Sequence, residues 1–310
     1  MNYDIIGDIH GQAGKLRTLL QKLGYGERSG VWQHPDRTAI FVGDFIDRGP
    51  HQLETVNIVR RMVEGGHALA VMGNHEFNAI AWYLEDPVQE GEYLRPHSGE
   101  VGEKNRRQHA AFLAEAEGTR EHREAIDWFL TLPLWLELPE LRVVHACWHP
   151  RYMADLASVL RPGNRLDDAL VAAASRKGTP EYRAVEALLK GIEIPLPRGS
   201  SFRDKDGVER HDARVRWWDS AAITYRQAAL VPPGSDTHLT DDEIPREAQV
   251  GYANDKPVFF GHYWLTGNPQ VQSPCVACID YSAGKKAEPL VAYRFDGEPE
   301  LDASKLVSSH

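Results

Sequence analysis

Gly7-Asp8-Ile9-His10-Gly11 stands between an apolar run, Tyr3-Asp4-Ile5-Ile6, and a segment with Leu16, Leu19, Leu20 and Leu23 at helical spacing. The motif therefore reads as the loop leaving the carboxyl end of a strand, where open α/β sheets place their chemistry. An Asp and a His separated by one residue can both point one way from such a loop. Four other stretches repeat the pattern. Thr38-Ala39-Ile40-Phe41 leads into Val42-Gly43-Asp44-Phe45-Ile46-Asp47-Arg48-Gly49-Pro50, and Leu69-Ala70-Val71-Met72 leads into Gly73-Asn74-His75-Glu76. Leu141-Arg142-Val143-Val144 delivers His145, and Pro257-Val258-Phe259-Phe260 delivers Gly261-His262. Each apolar strand ends in a loop that begins with a metal-binding residue type.

Taken singly, Asp8, Asp44 or Asn74 after a strand is more often a loop cap, and His10 or His75 more often a surface histidine. Their joint occurrence in this order reverses that reading. The series resembles the calcineurin-like metallophosphoesterases. Within them, GDIHG, GDFIDRG and GNHE resemble the phosphoprotein phosphatase branch and its relatives that cleave dinucleoside polyphosphates. The resemblance covers residues 1–80, 128–150 and 255–295.

The resemblance implies two packed mixed β-sheets flanked by helices, and a pair of divalent metal ions. Two such ions about 3.5–4 Å apart can clamp a phosphate and generate a hydroxide between them. Asp44 matches the bridging carboxylate, Asp8 and His10 complete the first ion's ligands, and Asn74, His145 and His262 complete the second's. Mixed oxygen and nitrogen ligands suit manganese first, with iron, zinc, cobalt or nickel as alternatives, rather than calcium. By the same resemblance His75 is the proton donor to the leaving oxygen, oriented by Asp47. Arg48 offers a planar fork that matches two phosphate oxygens. A second phosphate-binding arginine is expected near Trp217-Trp218-Asp219, with Arg214, Arg216 and Arg226 all open. Glu76 is expected to position its loop rather than to act in chemistry. The family usually has two glycines after the third metal loop's histidine, whereas Ala146-Cys147 stand here, which bears on loop geometry and substrate access.

The remaining ten of the fourteen histidines, including His51, His67, His109 and His149, read as structural or surface residues. Cys275-Val276-Ala277-Cys278 is a lone CxxC; residues three apart on a strand point to opposite faces, so core packing is the better reading. At 310 residues and 42% hydrophobic, the chain can bury a large core. A net charge of −10 implies no basic surface and disfavours a nucleic-acid partner. Three cysteines suggest a reducing compartment rather than a disulfide framework. No apolar run approaches the roughly 18–20 residues that span a bilayer, so no membrane partner is expected. With Asp8 already in the first motif, a signal peptide has nowhere to fit, and the expected location is cytoplasmic.

Between the motifs, residues 24–37 read as a turn-rich connection, and Leu53, Val56, Ile58, Val59 and Met62 as a helix ending near Gly65-Gly66. Residues 85–109 are polar and read as an exposed excursion, followed by helices over 110–116 and 121–130 and a strand begun by Leu132-Pro133-Leu134-Trp135. Residues 150–215 read as a mostly helical insertion over the active-site face, with helices over 166–174 and 182–192. Asp204-Lys205-Asp206-Gly207 reads as a turn. Residues 277–281 and 290–295 look like a hairpin that finishes a sheet.

The expected architecture is a single α/β metallophosphoesterase domain over 1–310, with insertions near 85–125 and 150–215. The expected activity is hydrolysis of phosphate monoesters of phosphoprotein phosphatase type, by attack of a hydroxide bridging the two ions. Pyrophosphohydrolysis of dinucleoside polyphosphates is the alternative, so the substrate is a phosphorylated protein or a nucleotide. Arg48 and Gly49 after Asp47 favour both over the superfamily's nuclease branch. An inactive scaffold would have lost ligand types, and none is missing.

Overall fold

A computed structural model describes residues 2–203, 207–232, 234–235 and 239–310. The strand Tyr3–Ile6 lies at the middle of a five-stranded sheet. Thr38–Phe41 pairs parallel to it, and Ala68–Ala70 pairs parallel to Thr38–Phe41 in turn. On its other side runs Val291–Phe295, antiparallel, and then Leu306–Ser308. A second sheet of four strands is ordered Val276–Cys278, Val258–Phe260, Arg142–Val144, Trp135–Glu137, with only the last antiparallel to its neighbour.

Side chains on successive strand residues point to opposite faces, and that alternation sorts the core into two layers. Tyr3, Ile5, Ile40, Val143, Phe259, Val291, Tyr293 and Phe295 form one buried cluster made from both sheets. Ile6, Phe41, Val144, Val258 and Phe260 face the other way, into the cluster made with the helices. All five motif strands are short, three or four residues each, and apolar on both faces. Parallel strands covered on both sides need that composition. The fold is α/β, with two mixed sheets flanked by helices.

The helices Ala13–Lys22 and Gln52–Glu64 match the leucine and valine periodicities. Other expectations are corrected. The 24–37 connection contains an antiparallel hairpin, Gly26–Arg28 with Val31–Gln33. Residues 277–281 and 290–295 do not form a hairpin. Val276–Cys278 joins the four-stranded sheet, while Val291–Phe295 joins the five-stranded one. Alternating apolar residues identify a strand without identifying its partner, and here the chain crosses between sheets in the intervening loop. The 85–109 excursion is not wholly exposed. It carries a helix, Gly99–Gln108, that buries Asn105 and ends at buried His109. The helix is anchored by polar contacts rather than by an apolar stripe: Asn105 Nδ2 donates to Pro96 O, and Arg95 Nη1 donates to Asn78 Oδ1.

The 150–215 segment is helical as far as Lys190, through Pro150–Leu156, Asp168–Ala174 and Pro180–Lys190. It then forms a small antiparallel sheet of Glu193–Pro195, Asp212–Val215 and Ala229–Leu230. Of the turn expected at 204–207, Asp204, Lys205 and Asp206 lie outside the described residues.

At the end of Tyr3–Ile6 remote from its motif, Asp4 is buried under a cation. Arg37 Nε donates to Asp4 Oδ2 at 2.9 Å, and Tyr25 OH donates to the same oxygen at 3.1 Å. Arg37 Nη2 also donates to the carbonyls of Tyr3 and Phe295, tying three strands' ends together. Removing one partner of a buried pair strands the other charge, at about 3–5 kcal/mol. Arg294 also approaches Asp4, at 3.3 Å, so the lower end applies. Arg37→Leu should therefore lower stability by about 3 kcal/mol in urea unfolding, with activity per folded molecule unchanged. An unmoved midpoint would show that the pair contributes nothing.

Candidate functional site

The five motif loops meet at the carboxyl ends of their strands. Gly261 N donates to His145 O, Ile9 N and His10 N both donate to Asp44 O, and Gly11 N donates to Phe45 O. Glu76 is buried, and its carboxylate accepts N–H from Gly73, Asp44 and Phe45 at 3.0, 2.8 and 2.8 Å. It braces two loops at once, in the positioning role expected of it. Burial pushes its carboxyl up to about 7, with Asp44 adding to the rise. Backbone strain gathers in the same place: His10, Asp44, Asp47, Arg48, His262 and Trp264 all have φ between 51° and 72°. Left-handed backbone at non-glycine residues is held only where surrounding bonds over-determine it, and it clusters at functional sites. Gly43, at φ 102°, lies against the backbone of Gly73, where a Cβ would collide.

The structure brings Asp8, His10, Asp44, Asn74, His145 and His262 together, all buried. Asp44 is central. Its Oδ2 is 3.7 Å from His10 Nε2, and its Oδ1 is 3.4 Å from His145 Nε2. Asn74 Oδ1 lies 3.1 Å from His145 Nε2 and 2.7 Å from His262 Nδ1. The other ring nitrogens fix two tautomers. His145 Nδ1 donates to Val42 O at 2.7 Å, and His10 Nδ1 donates to Ile46 O at 3.0 Å. His10, whose pKa burial lowers to about 3, therefore presents an Nε2 lone pair toward the Asp44 carboxylate, itself an acceptor. Burial works against a charge on His145, while Asp44 raises it overall. Acceptors facing acceptors in a buried site are a fit for cations, and Asp8 Oδ1 and His10 Nε2 are buried with no protein partner. Burial, with Asp280 and Asp44 nearby, pushes Asp8 well above the usual carboxylate range. Burial would raise Asp44 too, but His145, His75 and His10 hold it well below that range.

His75 stands beside this cluster. Its Nδ1 lies 2.5 Å from Asp47 Oδ2, and its Nε2 lies 3.9 Å from Asp44 Oδ2. Burial works against its charge, while the carboxylates of Asp44 and Asp47 raise it overall. The guanidinium of Arg48 lies 3.7 Å over the Trp264 ring, which in turn packs 5.2 Å from the His10 ring. Of the three further arginines, Arg214 is beside the site, 5.8 Å over the Tyr263 ring and acting electrostatically on His262. Arg226 is instead turned to Asp241 at 3.0 Å.

Two site residues escaped the sequence reading. His109, read as structural or surface, lies 2.7 Å from Asp47 Oδ2. Asp280, read only as part of a hairpin, accepts N–H from Trp264 and Ser282 and stands among the carboxylates. His149 instead caps the helix Pro150–Leu156, accepting from Tyr152 N at 3.3 Å. Ala146 and Cys147 donate their N–H groups to Leu188 O, and Trp217 Nε1 donates to Ala146 O, so Pro180–Lys190 supports this loop. The three cysteines are free and buried; Cys275 Sγ contacts the carbonyls of Asn254 and Pro299, and Cys278 Sγ that of Gly261.

The calcineurin-like phosphoesterase family matches residues 1–169, more than half of the chain. The chain belongs to the calcineurin-like phosphoesterases. It is a metallophosphoesterase, a phosphoric ester hydrolase, and the family implies divalent metal ions. The phosphoesterase is 50% identical over 76 residues to an asymmetrical bis(5'-nucleosyl)-tetraphosphatase, PrpE, of Halalkalibacterium halodurans, covering 24% of this chain and 31% of that protein. It is 37% identical over 150 residues to the Bacillus velezensis protein of the same name, covering 47% and 56%. The matches span about half or less of these relatives' length. A serine/threonine phosphatase structure from Saccharomyces cerevisiae aligns over 99% of this chain and 78% of its own, at 15% identity and a TM-score of 0.46. Among the described residues, no helix is long and apolar enough to cross a membrane.

If Asp44, standing between His10 and His145, bridges two ions, Asp44→Asn should empty or scramble both positions. Metal analysis of purified protein checks this. A variant that still held two ions per chain with full activity would contradict the arrangement.

Proposed function

We propose that the phosphoesterase hydrolyses a phosphoanhydride bond of dinucleoside polyphosphates, splitting a tetraphosphate chain unevenly. The supporting observation is the identity of 37% over 150 residues to a relative named for that asymmetrical reaction. The GDFIDRG and GNHE motifs fit this reading and the phosphoprotein phosphatase reading equally. The relatives therefore reverse the order in which the motifs alone placed the two.

Asp8, His10 and Asp44 would hold one divalent ion, and Asp44, Asn74, His145 and His262 the other. Bound there, the pair supplies Lewis-acid charge at the phosphoryl oxygens and activates a water for attack. The remaining work belongs to side chains. Arg48, held over Trp264, presents its fork to phosphate oxygens. Arg214, on the Asp212–Val215 strand, is the second phosphate arginine in this reading, because it lies over the Tyr263 ring next to His262 and acts on that histidine. His75 donates a proton from Nε2 to the departing oxygen while Asp47 holds its Nδ1. The core cluster runs from Ile6 through Phe77 and Phe112 to Leu188 and Trp217, which supports one domain with both insertions built into it. Three free cysteines fit a cytoplasmic setting.

Two measurements test this. With manganese added, diadenosine tetraphosphate should be cut to a nucleoside triphosphate and a monophosphate, with kcat/KM at least about tenfold above that for phosphopeptides. A preference for phosphopeptides of that size would return the phosphoprotein reading to first place. The second concerns His75. A serine alkoxide needs a proton to leave, whereas nitrophenolate does not, and general acid help is worth about 10²–10⁴ in rate. His75→Asn should lose close to that factor on a phosphoserine peptide, roughly 3–5 kcal/mol, and much less on an aryl phosphate. Equal losses on both substrates with metal retained would leave His75 as a phosphate binder or loop brace.

A further inference from the structure

His109 reaches the site from outside every motif. It sits between the helices Gly99–Gln108 and Ala110–Ala116, with 1% of its surface exposed. Its backbone is fixed on both sides, since its N–H donates to Asn105 O and Arg106 O, and its carbonyl accepts from Leu113 N. Its Nδ1 lies 2.7 Å from Asp47 Oδ2, the same oxygen that His75 Nδ1 approaches at 2.5 Å. The other oxygen, Asp47 Oδ1, is buried and has no hydrogen-bond partner among the described residues. Nothing on that side fixes the carboxylate's rotation.

A cation among these three groups is a poor fit. Zinc-like ions take nitrogen and oxygen ligands at about 2.0–2.2 Å, and ligand atoms arranged around one ion then stand farther apart than these contacts. The 2.5 Å contact of His75 is a charge-assisted hydrogen bond. The 2.7 Å contact of His109 is an ion-pair approach without hydrogen-bond alignment, since neither ring nitrogen of His109 has a hydrogen-bond partner among the described residues. The helix that His109 leads into, Ala110–Ala116, also braces the loop from behind. Glu115 accepts N–H from Gln52 and Leu53, and Gln52 Oε1 accepts N–H from Asp47.

We propose that His109 is a positioning residue: its ring, seated with Nδ1 2.7 Å from Asp47 Oδ2, holds that carboxylate against His75. The inference rests on the proposed role of His75 as proton donor. It gives the 85–125 segment a task in the reaction: without it, the Asp47 carboxylate would keep His75 as its one hydrogen-bonding side chain among the described residues and would be free to turn. His75 would then lose the orientation that aims Nε2 at the leaving oxygen. Substrate binding does not depend on this orientation.

A double-mutant cycle tests the coupling. His109→Leu, made in the parent enzyme and in a His75→Asn background, is assayed on the substrate that shows the largest His75→Asn loss and on p-nitrophenyl phosphate. In the parent, kcat on the first substrate should fall about 10–100-fold with KM little changed, and the aryl phosphate should suffer far less. In the His75→Asn background the same change should cost less than about twofold. His109→Asn places an amide N–H near the position of Nδ1 and should restore most of the rate. Equal losses in both backgrounds, a His109→Leu enzyme as fast as the parent, or no rescue by asparagine would overturn the inference while leaving His75 as donor. A His75→Asn enzyme with no loss on any substrate would remove the donor reading, and this inference with it.

Discussion

The carboxylate of Glu76 accepts three backbone N–H groups from two loops, and the rest of the site depends on that anchorage. It pins Asp44 and Phe45 to Gly73, so that the Asp44 side chain and the Asn74 loop cannot move separately. Asp44 then organises the others. Its carbonyl takes N–H from Ile9 and His10, and its Oδ1 takes the N–H of His75. One residue thus ties together the first three motif loops, and the His145 and His262 loops join through Asn74.

Such a site is expensive for the fold. Asp8, Asp44 and Asp280 are buried together, and a buried charge without compensation costs several kcal/mol or neutralises itself. The protein supplies part of the compensation through imidazoles and backbone N–H groups. The unpartnered Asp8 Oδ1 and His10 Nε2 show where it supplies none. The left-handed loops stand on short strands buried on both faces, so each loop leaves a packed strand end.

The sequence disclosed what is encoded locally. Apolar runs followed by Asp8, Asp44, Asn74, His145 and His262 identified five strands and their loops, because strand and ligand are neighbours in the chain. Features depending on distant packing were hidden. His109 follows a polar helix with no apolar period, so nothing in the local pattern tied it to Asp47, more than sixty residues earlier. Asp280 looked like one residue of a strand, whereas its partners are Trp264, in the loop after Val258–Phe260, and Ser282, in the crossing between sheets. Arg214, Arg216 and Arg226 look alike in the sequence, and it is the small sheet beyond Lys190 that carries Arg214 to 5.8 Å over the Tyr263 ring.

The central claim is that the ends of these strands form one dinuclear centre bridged by Asp44. The most direct measurement is an anomalous difference map from crystals grown with manganese. The account predicts two peaks flanking Asp44, one against Asp8 and His10 and the other against Asn74, His145 and His262. A single peak, or a peak within the Asp47, His75 and His109 group, would contradict it.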